Sequence, residues 1–145
     1  MTTECIDEFS IERVVRFGDC DPNGIVFYPR YFEMVNAVVE EWWTHLGMPW
    51  IKLIEGRRIG TPVSHLETIF LRPSRIGDRL EFRLSLESIG RSSVRFCYRV
   101  LGPAGEQRIK IRQRMVCVSL ESGLPIAWPP HIRSLLTNWQ NSQRT

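Results

Sequence analysis

Two aspartates, Asp19 and Asp21, flank a cysteine in Gly18-Asp19-Cys20-Asp21-Pro22-Asn23-Gly24, just ahead of an apolar stretch that runs into Pro29. Proline suits the opening of a helix, because its missing N–H costs nothing in the first helical turn. A helix start presents unpaired N–H donors and partial positive charge, so a carbonyl oxygen gaining negative charge is stabilised there. Pro29 has no N–H to give, which leaves a neighbour such as the Tyr28 amide as the donor. A carboxylate nearby, ionised at neutral pH with an ordinary pKa of about 3.9, can attack the carbonyl carbon or activate a water. The same aspartates equally suit a turn, where their side chains accept hydrogen bonds from local backbone N–H groups. Residue types and spacing leave both roles open.

Other chemistries find no support. The chain has no G-x-S-x-G elbow, no G-x-G-x-x-G, no Walker loop and no H-E-x-x-H. Cys5, Cys20, Cys97 and Cys117 form no C-x-x-C pair, and no histidine stands beside one at metal-ligand spacing, so no metal is expected. His45, His65 and His131 fall in a helix, a strand and a tail, with no shared role.

The elements that must position the aspartates follow from periodicity. Phe9, Ile11, Val15 and Phe17 read as a first strand, and Asp21 to Gly24 as a tight turn. From Pro29, apolar residues at Phe32, Val35, Val38, Val39, Trp42, Trp43 and Leu46 keep helical spacing until Gly47 and Pro49 stop it. After Gly56 the period becomes two. Residues 60–72 hold β-formers, and Leu80, Phe82, Leu84 and Leu86 alternate strictly with charged or polar residues. Val94 to Val100 repeats the pattern, and Ile109 to Cys117 gives a looser version, with Gly77-Asp78, Gly90 and residues 102–105 as connections. A short terminal helix is expected over Pro129 to Trp139. The expected layout is α+β: a strand, one long helix, then four successive antiparallel strands as a meander with the helix on one face.

Length and composition fit a single domain over residues 1–145, with 43% hydrophobic and 24% charged residues arguing against disorder. A net charge of +3 does not argue for nucleic acid, although it would help an anionic ligand approach. No apolar run is long enough to span a membrane, and the acidic N-terminus lacks a signal-like apolar region. Four free thiols and no export signal make the cytoplasm the expected compartment.

The stretch Gly18-Asp19-Cys20-Asp21-Pro22-Asn23-Gly24-Ile25-Val26-Phe27-Tyr28-Pro29 resembles the signature of the 4-hydroxybenzoyl-CoA thioesterases, the Asp-dependent hotdog enzymes. Gly60-Thr61-Pro62 and Pro73-Ser74-Arg75-Ile76-Gly77-Asp78-Arg79-Leu80 are similar to further segments of that family and of the wider superfamily. The resemblance spans about Ile11 to Val118. It implies a hotdog fold, an antiparallel sheet curled around one long central helix. It also implies hydrolysis of an aromatic or short-chain acyl-CoA, with no metal and no organic cofactor beyond the CoA of the substrate. Position by position, Asp21 becomes nucleophile or general base and Tyr28 the donor of the polarising backbone N–H, with Asp19 a support for the loop. Trp50 corresponds to a tryptophan bordering the ligand, and Thr61, Pro62 and Val63 to a segment lining the acyl site. Where the family holds CoA with a basic cluster, this chain has Ile89-Gly90-Arg91-Ser92, so Arg91 and Ser92 are the matching positions and only Arg91 is charged. Arg57, Arg58, Arg72 and Arg75 are other candidates for the phosphates. The resemblance further implies a homo-oligomer, dimer or tetramer, with a site built from two subunits. The alternatives are a hotdog module that binds acyl-CoA or a partner without turnover and, more remotely, a dehydratase.

Overall fold

The structure, a computed structural model, describes residues 9–143. Cys5 and the acidic residues Glu4, Asp7 and Glu8 lie outside the described residues.

Strict alternation builds the sheet. On β4 (Arg79–Ile89), β5 (Ser93–Leu101) and β6 (Gln107–Val116), the residues Leu80, Phe82, Leu84, Val94, Phe96, Tyr98, Val100, Ile109 and Ile111 are fully buried. Successive side chains of a strand point to opposite faces, so these fall on one face and the arginines and glutamates on the other. Helix α1 (Tyr28–His45) lays Val35, Val38, Val39, Trp42 and Trp43 into the same core. Fully burying one such aliphatic side chain contributes about 1.5–3 kcal/mol, enough for a few contacts to fix the helix on the sheet.

The strands β4, β5 and β6 form the expected meander, but the sheet order is β1-β4-β5-β6-β3. β1 (Phe9–Val14) pairs antiparallel with β4, Phe9 opposite Leu84 and Val14 opposite Arg79. That edge of β4 is therefore taken, and β3 (Val63–Phe70) crosses to the far side to pair with β6. This corrects the expectation of four strands paired in sequence. A two-stranded ladder escaped the sequence reading: β2 (Ile59–Gly60) pairs with β7 (Val118–Ser119). The two-residue strands are too short to show a period.

The long helix α1 stands near the N-terminal end of the chain, between β1 and β2, rather than centrally in it, and the expected terminal helix is present as α2 (Pro130–Gln143), which packs Ile132 and Leu136 into the core. α2 runs past the expected end at Trp139, because Trp139 packs edge-on against Trp42 and Gln143 is tied to β4. There β4 carries an irregularity between Leu86 and Ser88. The Leu86 N–H donates to Gln143 Oε1 at 2.7 Å, and Gln143 Nε2 donates back to the Leu86 carbonyl at 2.9 Å. Among the described cysteines, Cys20 and Cys117 are free, whereas Cys97 is disulfide-bonded. This corrects the expectation of four free thiols and removes the argument for a reducing compartment built on them. No helix of the described residues is long and apolar enough to cross a membrane.

Candidate active site

The aspartate segment folds as a small hairpin. A 3-10 turn (Phe17–Asp19) opens it, with the Arg16 N–H donating to Asp19 Oδ2 at 2.9 Å. The Phe27 N–H donates to the Asp19 carbonyl, Cys20 bridges Val26, and the Asp21 N–H donates to the Ile25 carbonyl at 2.9 Å. Asp21 to Gly24 closes the tip, where the Gly24 N–H reaches the Asp21 carbonyl and Gly24 takes φ +81°. Glycine accepts that left-handed conformation without steric cost. Asp19 is thus a loop support, as its side-chain bond shows.

Asp21 commits one of its two carboxylate oxygens to the turn. Its Oδ1 accepts the Asn23 N–H at 2.8 Å, an Asx-type turn, while Oδ2 has no hydrogen-bond partner among the described residues. The half-buried carboxylate lines a cleft of about 410 Å³ with Phe17, Cys20, Pro22, Gly24 and Ile76. None of the three histidines borders this cleft. The hairpin runs directly into α1, whose first residue is Tyr28, with Pro29 second. Phe27 precedes the helix without a side-chain cap, and the Tyr28 N–H donates to no acceptor among the described residues. An uncapped helix start with a free N–H can receive a developing oxyanion.

The residues that the resemblance places at the acyl site gather elsewhere. Trp50, Thr61, Pro62 and Val63 line one cavity of about 320 Å³, together with Asn36 of α1 and Met115 of β6. Its remaining walls are apolar: Leu53, Ile54, Ile59 and Gly60. The sequence reading missed Leu53 and Ile54, which a short helical segment starting at Trp50 and widening to a π-turn (Lys52–Gly56) presents to the cavity. Asn36 carried a signal, a polar residue within the helical stripe of Phe32 and Val39.

Within one chain the Asp21 cleft and this cavity are separate spaces. They lie toward opposite ends of β3. Tyr28 and Tyr31 pack their rings against Phe70, at 6.3 and 6.2 Å between centroids, and Val63 lines the acyl cavity. Arg91 and Ser92 belong to neither. They form the β4–β5 turn, where the Arg91 carbonyl accepts the Trp128 N–H and the Ser92 carbonyl accepts the Cys117 N–H. The Arg91 side chain is exposed, as a contact for a solvent-facing phosphate requires. No group of three or more potential metal ligands exists among the described residues.

An antiparallel sheet with α1 buried on one face is the hotdog architecture, and solved thioesterases share it. A 1,4-dihydroxy-2-naphthoyl-CoA thioesterase from Synechocystis matches over 90% of this chain and 96% of its own, with a TM-score of 0.82 at 20% identity. An aspartate-to-asparagine variant of 4-hydroxybenzoyl-CoA thioesterase, solved with 4-hydroxybenzoyl-CoA, matches over 88% and 96%, with a TM-score of 0.81 at 24% identity. The fold is the hotdog fold of these solved proteins. The chain belongs to the thioesterase-like superfamily, whose family model matches residues 15–136. Among its relatives is the 1,4-dihydroxy-2-naphthoyl-CoA hydrolase of Synechococcus elongatus, 31% identical over 94 residues, 64% of this chain and 69% of that one.

Proposed function

We propose that this chain is a single hotdog domain that hydrolyses an aromatic or short-chain acyl-CoA to the free acid and CoA. The observation that carries the reading is Asp21: a carboxylate with one oxygen fixed by the Asn23 N–H and the other uncommitted, on a hairpin that ends at the uncapped start of α1. In this reading the Tyr28 N–H donates to the thioester oxygen and draws charge from the carbonyl carbon. Asp21 then attacks that carbon, expelling the CoA thiolate and leaving an anhydride for water to cleave, or takes a proton from the water that attacks. Either route needs the negative charge. Relatives named for 4-hydroxybenzoyl-CoA and 1,4-dihydroxy-2-naphthoyl-CoA favour an aromatic acyl group, and the apolar cavity of about 320 Å³ suits one.

The site is proposed to be shared between two copies. β3 is an edge strand with seven of its eight residues exposed, including Val63, Leu66, Ile69 and Phe70. A bare edge of that length, about 24 Å at the usual rise, is a template for another strand. Two such edges paired antiparallel about a two-fold axis set the Phe70 end of one beside the Val63 end of the other. Asp21 and Tyr28 of one copy then face Trp50, Thr61, Pro62 and Val63 of its partner. Arg91 and Ser92 are proposed to meet the CoA portion from the β4–β5 turn.

The test is release of free CoA thiol from a panel of acyl-CoAs, wild type beside Asp21→Asn. Asparagine keeps an oxygen for the Asn23 N–H, so the turn survives and the charge alone is lost. The expected fall in kcat is at least about 100-fold, roughly 3 kcal/mol of barrier. Near wild-type turnover by Asp21→Asn leaves Asp21 a turn former, whereas no thiol release from any acyl-CoA by the wild type favours a binding module.

A further inference from the structure

Outside both cavities, one partly buried guanidinium ties the β3–β4 connection to the hairpin that carries Asp21. Arg108, at the start of β6, is 11% exposed in its side chain. Its Nη1 donates to the Pro73 carbonyl at 2.9 Å, to Ser74 Oγ at 3.0 Å and to Asp78 Oδ2 at 3.0 Å. Its Nε and Nη2 donate to Glu106 Oε1. The Arg108 carbonyl accepts the N–H groups of Leu71 and Arg72. Residues 71–78 are therefore held at several points by one residue of a central strand.

The held segment in turn holds the hairpin. Ser74 is fully buried, and its carbonyl accepts the Val26 N–H at 2.9 Å. Arg75 bridges Ile25, whose carbonyl accepts the Asp21 N–H. Asp78 closes its own turn by accepting the Arg75 N–H at 3.0 Å, and the turn exchanges two backbone bonds with Val15, the Val15 N–H to the Asp78 carbonyl and the Gly77 N–H to the Val15 carbonyl. Three links, from Ser74 through the Arg75–Ile25 bridge, thus separate the guanidinium from the Asp21 backbone.

We infer that Arg108, acting through Ser74 and the 73–78 turn, is a positioning residue that sets the Asp21 carboxylate against the start of α1. The inference rests on the proposed roles of Asp21 and Tyr28. A network serving stability alone would need only the Glu106 and Asp78 ion pairs. The donors to Pro73 and Ser74 instead reach the strip of backbone on which the hairpin hangs. The guanidinium's planar fork serves four acceptor groups at once; a lysine ammonium, with three donors and no fixed plane, cannot reproduce that geometry. The space is filled as well: a Cβ at Gly102 would collide with Glu106 and Arg108, so the pair cannot shift toward that loop.

The experiment compares wild type, Arg108→Lys, Arg108→Ala and Ser74→Ala on the best acyl-CoA of the panel, at protein concentrations where the oligomer is intact. A displacement of about 1 Å at a reacting group costs on the order of 100-fold, so kcat of Arg108→Lys should fall about 10- to 100-fold with KM nearly unchanged. Added methylguanidinium should restore part of the kcat of Arg108→Ala. In an Asp21→Asn background, Arg108→Lys should bring no further loss, because the group being positioned is already gone. If the Arg108 variants do not fold, Ser74→Ala carries the test, with the same kcat loss at constant KM expected on a smaller scale. Wild-type kcat in Arg108→Lys or, failing its folding, in Ser74→Ala overturns the inference. So does a loss that multiplies in full with that of Asp21→Asn. An active Asp21→Asn enzyme sinks the functional reading itself, whereas an inactive Asp21→Asn beside a normal Arg108→Lys sinks only this inference.

Discussion

Two inactive variants should make an active enzyme when mixed. The proposed site takes Asp21 from one copy and the acyl cavity from the other, so the defects Asp21→Asn and Thr61→Phe fall in different halves. Thr61 lines the cavity of about 320 Å³, and a phenylalanine ring there occupies space the acyl group needs. In a mixed dimer, one site combines both defects and the other combines none. Random exchange at equal concentrations makes half of all dimers mixed, each with one intact site of two. The mixture should therefore recover about one quarter of wild-type activity, from parents that each have about 1% or less. The assay is thiol release after co-refolding or subunit exchange, with mixed dimers counted by native mass spectrometry. If mixed dimers form and activity stays at the parental level, Asp21 and the cavity of one chain serve the same site. The β3 edge pairing is then wrong.

Two further outcomes test the framework. The Asp78 carboxyl is held below the usual carboxylate range, first by the Arg75 N–H and, against the cost of burial, by the Arg108 guanidinium. A pKa lowered by folding stabilises fully above the unfolded value of about 3.9 and is lost as pH falls through the lower folded value, so Asp78→Asn should flatten the decline of Tm below about pH 4. Trp42 is fully buried against Trp43, Phe96 and Trp139, yet its indole N–H has no partner among the described residues. Trp42→Ala should cost about 3–5 kcal/mol in urea unfolding, and Trp42→Phe much less, since it also removes an unsatisfied donor.

The strongest sequence signals were those with a repeating physical cause. The alternation from Arg79 onward and the apolar stripe from Phe32 to Leu46 gave β4, β5 and α1 nearly to the residue, because a buried face imposes its period. Which strands pair was another matter. Nothing in Val63 to Phe70 says that Phe9 to Val14 already covers the edge of β4. Trp50, Thr61, Pro62 and Val63 were assigned by likeness, and the structure gathers them around one cavity. Arg108 was invisible as anything but one charge in an alternating strand, since its acceptors lie about 30 residues away in sequence.

The bond pair between Gln143 and Leu86 has a consequence for how this sheet meets other chains. The described pairing of β1 along β4 begins at Phe9 opposite Leu84, so Leu86 lies beyond it. An open N–H and C=O on a strand edge invite a foreign strand to dock. The Gln143 side-chain amide answers with one acceptor and one donor, in the geometry a neighbouring peptide group would use. A single side chain at the end of a helix thus acts as a plug against intermolecular β-pairing. Nicking or fraying of the last turn of α2 would remove the plug while leaving the core intact, and the product would be a folded protein with a newly adhesive edge.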